Sequence, residues 1–135
     1  MPAKIVVDTD LLAQHLLQRG GVSVLRTVVS NFFCYTTVFN TIELFACAQS
    51  KKEIRAVSDT MQAIKILGVN SKSAKNFGNL LAITRRKKIP DFTALIAGVC
   101  IESKLPIVSL NPNRFFSVKG VKVVDAHTLK YRTKA

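Results

Sequence analysis

Ile5-Val6-Val7-Asp8-Thr9-Asp10-Leu11-Leu12 changes its periodicity at Asp8: a β-branched run stops at a carboxylate, and apolar residues then continue at helical spacing to Leu17. A strand feeding a helix through an acidic residue is the reading, with the Gly20-Gly21 break ending that helix. The alternation repeats downstream. A helical stretch from about Val22 to Phe33 precedes Tyr35 to Phe39, whose Thr36, Thr37, Val38 and Phe39 favour a strand, and another helix begins near Asn40. Ser50-Lys51-Lys52-Glu53 has capping-box spacing and predicts a helix to about Ile64, with Ile66 to Val69 as a short strand. Ser71 is placed to cap a helix reaching about Arg86. Pro90 starts the next, with Phe92, Leu95, Ile96 and Val99 on one apolar face and Ala94, Ala97 and Gly98 small enough for close packing. Leu105 to Leu110 and Val121 to Val124 read as two apolar strands around the turn residues Asn111-Pro112-Asn113. Strands alternating with helices predict an α/β fold, a central parallel sheet flanked by helices, in a single domain of 135 residues.

Composition narrows the function. Twenty Lys and Arg against eight Asp and Glu leave a net charge of +12, which favours a polyanionic partner such as nucleic acid. Between Asp59 and Asp91 there are basic residues and no acid. No apolar run approaches the roughly 20 residues that a membrane-spanning helix needs. A carboxylate at Asp8 also interrupts the apolar centre that a signal peptide would require, so a cytoplasmic protein without a membrane partner is expected. Cys34, Cys47 and Cys100 lie far apart in apolar segments with no Cys-x-x-Cys pair, which predicts buried free thiols rather than a zinc or redox site.

Parallel strands joined by right-handed crossovers bring their C-terminal ends to one edge of the sheet, where ligands bind if the strand order reverses. Asp8 and Asn111 each follow a strand, Glu43 lies one turn into the helix after the second strand, and Asp91 opens the helix leading to the strand from Leu105. Carboxylates gathered on one edge repel unless a cation lies between them, and oxygen donors suit Mg²⁺ or Mn²⁺. Such an ion activates water and stabilises a phosphodiester under attack. Arg85, Arg86, Lys87 and Lys88 are the expected phosphate-binding group, with Arg114, Lys51 and Lys52 as lesser candidates. Each residue also has a structural reading. Asp8 can cap the first helix, Glu43 can close a capping box with Asn40, Asp91 can complement a helix dipole, Asn111 can be an ordinary turn residue, and the basic run can be a solvated face.

Together with Ile5 to Leu12, the segments Thr37-Val38-Phe39-Asn40-Thr41-Ile42-Glu43-Leu44, Pro90-Asp91-Phe92-Thr93-Ala94-Leu95-Ile96-Ala97 and Ile107-Val108-Ser109-Leu110-Asn111 resemble the motifs of PIN domains, especially VapC toxins, from about Lys4 to Asp125. The resemblance implies a PIN-like fold and a Mg²⁺- or Mn²⁺-dependent endoribonuclease, usually a homodimer, silenced by a cognate antitoxin protein. By motif match Asp8, Glu43 and Asp91 would hold the metal or its waters, with Asp91 also oriented to activate the attacking water. Asn111 would take a fourth place where many relatives carry Asp, with Ser109 supporting that corner by hydrogen bonding. Arg114 stands where the family often has an acidic residue or His, which questions a further metal contact there. Asp8-Thr9-Asp10 after a strand also resembles the opening of haloacid-dehalogenase-type phosphatases, but the later acidic pair of that family is missing, with only Asp125 near the end. A third reading is a PIN fold that has lost catalysis and binds RNA or a partner.

Overall fold

Five parallel strands form one sheet in the order β3-β2-β1-β4-β5. The computed structural model describes residues 3–18 and 20–132; Met1 and Pro2, at the chain start, lie outside them. β1 (Lys4–Val7) is central, flanked by β2 (Phe33–Thr37) and β4 (Ile107–Ser109), with β3 (Lys65–Leu67) and β5 (Val123–Asp125) at the edges. Val6 pairs with both Tyr35 and Ile107, so β1 is hydrogen-bonded on both sides. The chain fills one side of β1 first and then crosses to the other, placing the reversal of strand order between β1 and β4.

The apolar run of β1 serves two cores because successive strand residues face opposite ways. Ile5 and Val7 pack with Leu11, Leu12, Leu25, Val28 and Leu44, whereas Val6 packs with Ile96, Ala97, Ile107 and Phe115. The first core involves α1 (Thr9–Leu17), α2 (Val24–Asn31), α3 (Val38–Cys47) and α4 (Lys51–Gln62). The second is built on α6 (Asp91–Ser103), against which α5 (Ala74–Arg86) lies. A Cβ on Gly98 would come within 3.0 Å of Leu80 and 3.2 Å of Phe77, which accounts for the small residue where these helices touch.

Three departures from the expected elements have local causes. β2 stops at Thr37 rather than Phe39, because Thr37 and Asn40 form the capping box of α3 and the helix starts at Val38. The expected box between Asn40 and Glu43 is therefore corrected, and Glu43 is left free of a capping role. Ser50 does cap α4, but Glu53 reaches back to the amide of Gln49 instead of Ser50. A terminal helix, α7 (Ala126–Arg132), was not expected; it buries Ala126 and Leu129 in the first core and shifts β5 to Val123–Asp125. The cysteines are free, as expected, but only Cys100 is buried; Cys34 is half-buried and Cys47, the last residue of α3, is exposed. Burial pushes the Cys34 thiol up to about 11 and the Cys100 thiol up to about 12, so neither is a thiolate at neutral pH.

Candidate active site

Asp8 follows β1 as the N-cap of α1, with Oδ1 accepting from the Thr9 amide at 2.8 Å. It caps and it also faces the site. It is 1% exposed, and its place at the end of the strand is reinforced by the Thr36 hydroxyl, which donates to the Val7 carbonyl at 2.8 Å. Buried Asn40, held by the capping box of α3, donates through Nδ2 to Asp8 Oδ1 at 3.0 Å and to Thr9 Oγ1 at 2.8 Å. The Thr9 hydroxyl donates in turn to Glu43 Oε1 at 2.6 Å. Asp8 and Glu43, distant in sequence, are thus joined by an oriented chain of side chains.

On the other side of β1, Ser109 at the end of β4 has its hydroxyl 2.9 Å from Asp8 Oδ2 and 2.9 Å from Asp10 Oδ2. A single hydroxyl proton cannot serve two carboxylates at once. Asp10 Oδ2 also accepts from the amides of Leu110 and Asn111, so this carboxylate clamps the exit of β4 to the start of α1. Burial, and next the charge of Asp10, push the Asp8 carboxyl up to about 6, against the opposing pull of Arg114, the Thr9 amide and the Ser109 hydroxyl.

A guanidinium spans the two carboxylates. Arg114 Nη1 lies 3.1 Å from Asp8 Oδ1, Nη2 lies 2.6 Å from Glu43 Oε2, and Nε donates to the Thr93 hydroxyl at 3.0 Å. The short turn Pro112–Phe115 presents Arg114, anchored by the fully buried Phe115. Planar, forked and permanently charged, this side chain matches two carboxylates better than an ammonium would.

The four expected site residues are only partly assembled. Asp8 and Glu43 converge on Arg114. Asp91, in the first turn of α6, is exposed and pairs instead with Arg85, Nη2 to Oδ2 at 2.8 Å, and the hydrogen bond from Arg85 lowers its pKa. The first turn of α6 reaches the site through buried Thr93. Asn111 is exposed and contributes its backbone amide to Asp10, while its side chain makes no hydrogen bond among the described residues. Arg114, expected among the RNA-binding cations, is committed to Asp8 and Glu43. Arg85, Arg86, Lys87 and Lys88 are exposed at the end of α5, where Lys88 takes the left-handed conformation, φ 60°, and turns the chain toward α6. The Lys88 amide bonds to Arg85 O and the Ile89 amide to Thr84 O, closing the helix end that sets Arg85 opposite Asp91.

As arranged, these donors do not fit a divalent cation. The two converging carboxylates are already bridged by a guanidinium, and among the described residues no three His, Cys, Asp or Glu side chains are grouped to hold an ion. Thr9, Asp10, Asn40 and Thr93 were absent from the expected site. The Thr37-x-x-Asn40 cap spacing was a usable signal for Asn40, and Asp10 two residues beyond Asp8 was a weaker one.

No family model matches the sequence. No curated protein matches it. Solved structures do match. A DNA-bound VapBC complex from Salmonella typhimurium is similar with a TM-score of 0.73 at 19% identity, over 92% of this chain and 98% of the other. A VapBC complex from Rickettsia felis bound to promoter DNA gives 0.72 at 16% identity, over 90% and 97%. A VapBC complex from nontypeable Haemophilus influenzae gives 0.72 at 16% identity, over 92% and 98%. The chain has the VapC-like PIN fold. In this PIN fold the edge carrying Asp8, Glu43, Ser109 and Arg114 is the one to which strand-order reversal directs a ligand. Among the described residues no helix is long and apolar enough to cross a membrane.

Asp91 and Asn111 can be separated from the buried pair by substitution. Asn111→Ala is expected to leave the melting temperature essentially unchanged, because the Asp10 clamp uses the backbone amide. Asp91→Asn breaks an ion pair between exposed groups, which contributes little to stability. A large drop in melting temperature in either variant, read by thermal denaturation, contradicts this placement.

Proposed function

We propose that this chain is a nuclease of the VapC toxin type, an endoribonuclease hydrolysing RNA phosphodiester bonds in the cytoplasm, silenced by a cognate antitoxin and acting as a homodimer. One observation carries the reading. A buried carboxylate, Asp8, sits at the strand-order reversal of a VapC-like PIN fold, hydrogen-bonded through Asn40 and Thr9 toward Glu43. In this reading Asp8 and Glu43 are catalytic, and Asp91 and Asn111 stand at the rim. Mg²⁺ or Mn²⁺ is the cofactor that the reading implies, supplying charge for the phosphodiester and an activated water when bound. The side chains themselves orient rather than react: Asn40 and Thr9 hold Asp8 and Glu43 in fixed relation, and Ser109 supports Asp8 from β4.

The exposed run Arg85, Arg86, Lys87 and Lys88 would hold backbone phosphates, adding affinity at low salt without reading the RNA sequence. Neutralising these four residues is expected to weaken RNA binding uniformly across sequences and to flatten its salt dependence, by roughly one slope unit or less for each phosphate that is no longer neutralised. Fluorescence anisotropy across a salt series reads this, and an unchanged slope places the RNA elsewhere.

A second reading is favoured by the double ion pair of Arg114 with Asp8 and Glu43: a PIN fold that binds RNA or a partner without cutting. Cleavage of a fluorescent RNA by the purified protein, with Mg²⁺ or Mn²⁺ and in chelator, decides between the two. Cleavage that is lost in Asp8→Asn supports the nuclease; binding with no cleavage under either condition supports the binder.

A further inference from the structure

Asp8 and Glu43 each take one arm of the Arg114 guanidinium, at 3.1 Å and 2.6 Å, and a third N–H of that group is engaged by Thr93. The arginine is not a loose surface side chain. Its side chain is 23% exposed, its backbone is pinned by the fully buried Phe115, and its guanidinium lies 5.3 Å from the centre of the Phe115 ring. A guanidinium carries N–H donors and no acceptor, so it cannot itself ligate an entering ion. A divalent ion entering between Asp8 and Glu43 would need the same oxygens and would meet a fixed positive charge at close range.

We infer that Arg114 is a built-in competitor for a divalent cation at Asp8 and Glu43, so that its ion pairs and metal binding there exclude each other. The inference concerns the site assigned in the nuclease reading, and it adds a resident cation that must leave before any ion enters. It follows that the acidic site is closed by the chain's own side chain, and that removing this side chain opens it.

Titration calorimetry with Mn²⁺ tests this on the wild type, Arg114→Ala and Arg114→Gln, each with and without Asp8→Asn. Both Arg114 variants should bind Mn²⁺ about tenfold tighter or more than the wild type, a gain of about 1.4 kcal/mol per factor of ten. Adding Asp8→Asn should abolish that gain. Should either variant fail to fold, the wild type alone decides: on titration with Mg²⁺ the Nε–Hε signal of Arg114 should move to the position of a free arginine as the ion binds. Equal Mn²⁺ affinity in wild type and variants, no Mn²⁺ binding by any form, or ion binding with the Arg114 signal unmoved would each overturn the inference. RNA cleavage, assayed separately, keeps the two readings apart. An affinity gain without cleavage in any form removes the nuclease and leaves the competitor, whereas Asp8-dependent cleavage without an affinity gain does the reverse.

Discussion

On the proposed nuclease reading, Asp8→Asn is expected to lower RNA cleavage by roughly a hundredfold or more, and on either reading to leave the fold intact while changing how stability responds to pH. The asparagine can keep the local hydrogen bonds. Its amide oxygen takes the Thr9 amide, Asn40 and Arg114 in place of Oδ1, and its amide nitrogen donates to the Ser109 hydroxyl, whose own proton is then free for Asp10. Asn is also a good N-cap. What disappears is a buried negative charge. The Asp8 carboxyl is pushed from 3.8 up to about 6, mainly by burial, which at 1.36 kcal/mol per unit corresponds to about 3 kcal/mol.

The folded-state value lies above the unfolded one, so Asp8 contributes stability that is fully present below about pH 4 and is lost as pH rises through about 6. In chelator, the stability of the wild type minus that of Asp8→Asn should therefore fall by about 3 kcal/mol between about pH 3 and about pH 8. Taking the difference cancels the carboxylates and histidines common to both proteins. Urea denaturation at a series of pH values measures it; a difference that stays flat would mean that Asp8 is solvated or paired well enough to keep an ordinary carboxylate value.

Arg114→Ala is expected to destabilise the protein by about 2 kcal/mol in chelator. Removing one partner of a buried ion pair costs roughly 3–5 kcal/mol because the other charge stays behind unpaired. Here the cost is smaller, since the Arg114 and Glu43 side chains are 23% and 22% exposed and water can screen what remains. Two carboxylates are stranded together, however, and Asp8 is 1% exposed. The destabilisation should therefore shrink when the stranded charges are removed. In a background of Asp8→Asn with Glu43→Gln, Arg114→Ala should cost under about 1 kcal/mol, the difference being the coupling energy of the cluster. An unchanged cost in that background would show that Arg114 stabilises through its packing on Phe115 and its bond to Thr93 alone.

Much of the architecture follows from periodicity that is local to the chain. Ile5-Val6-Val7 reads as a strand from its β-branched run, and it is one; the structure covers both of its faces, with Ile5 and Val7 in one core and Val6 in the other. The small residues Ala94, Ala97 and Gly98 announce a close approach of helices, and Gly98 lies against Phe77 and Leu80. Where two local signals overlap, sequence spacing chooses badly: Asn40 is three residues after Thr37 and three before Glu43, and either pair satisfies the capping-box pattern. The chain adopts the first because Asn40 is then directed to the buried Asp8, a partner 32 residues away that the pattern does not contain.

The acidic residues Asp8 and Glu43 could be placed on one sheet edge from the strand-helix alternation alone, because parallel strands share their C-terminal side. Which charges meet there is a different matter. Asp91 and Arg114 both belong to segments that approach this edge, yet the carboxylate turns to Arg85 six residues earlier and the guanidinium turns to Asp8 and Glu43. That choice depends on the left-handed turn at Lys88, which brings the end of α5 beside the start of α6, and on the burial of Phe115, which aims its neighbour inward. Local composition determined the alternation of strands and helices and the edge they share, though not α7 or the ends of β2 and β5. Only the tertiary packing decided that the acidic edge of this protein is balanced by its own arginine, because ion pairing depends on side-chain positions set by residues tens of places apart.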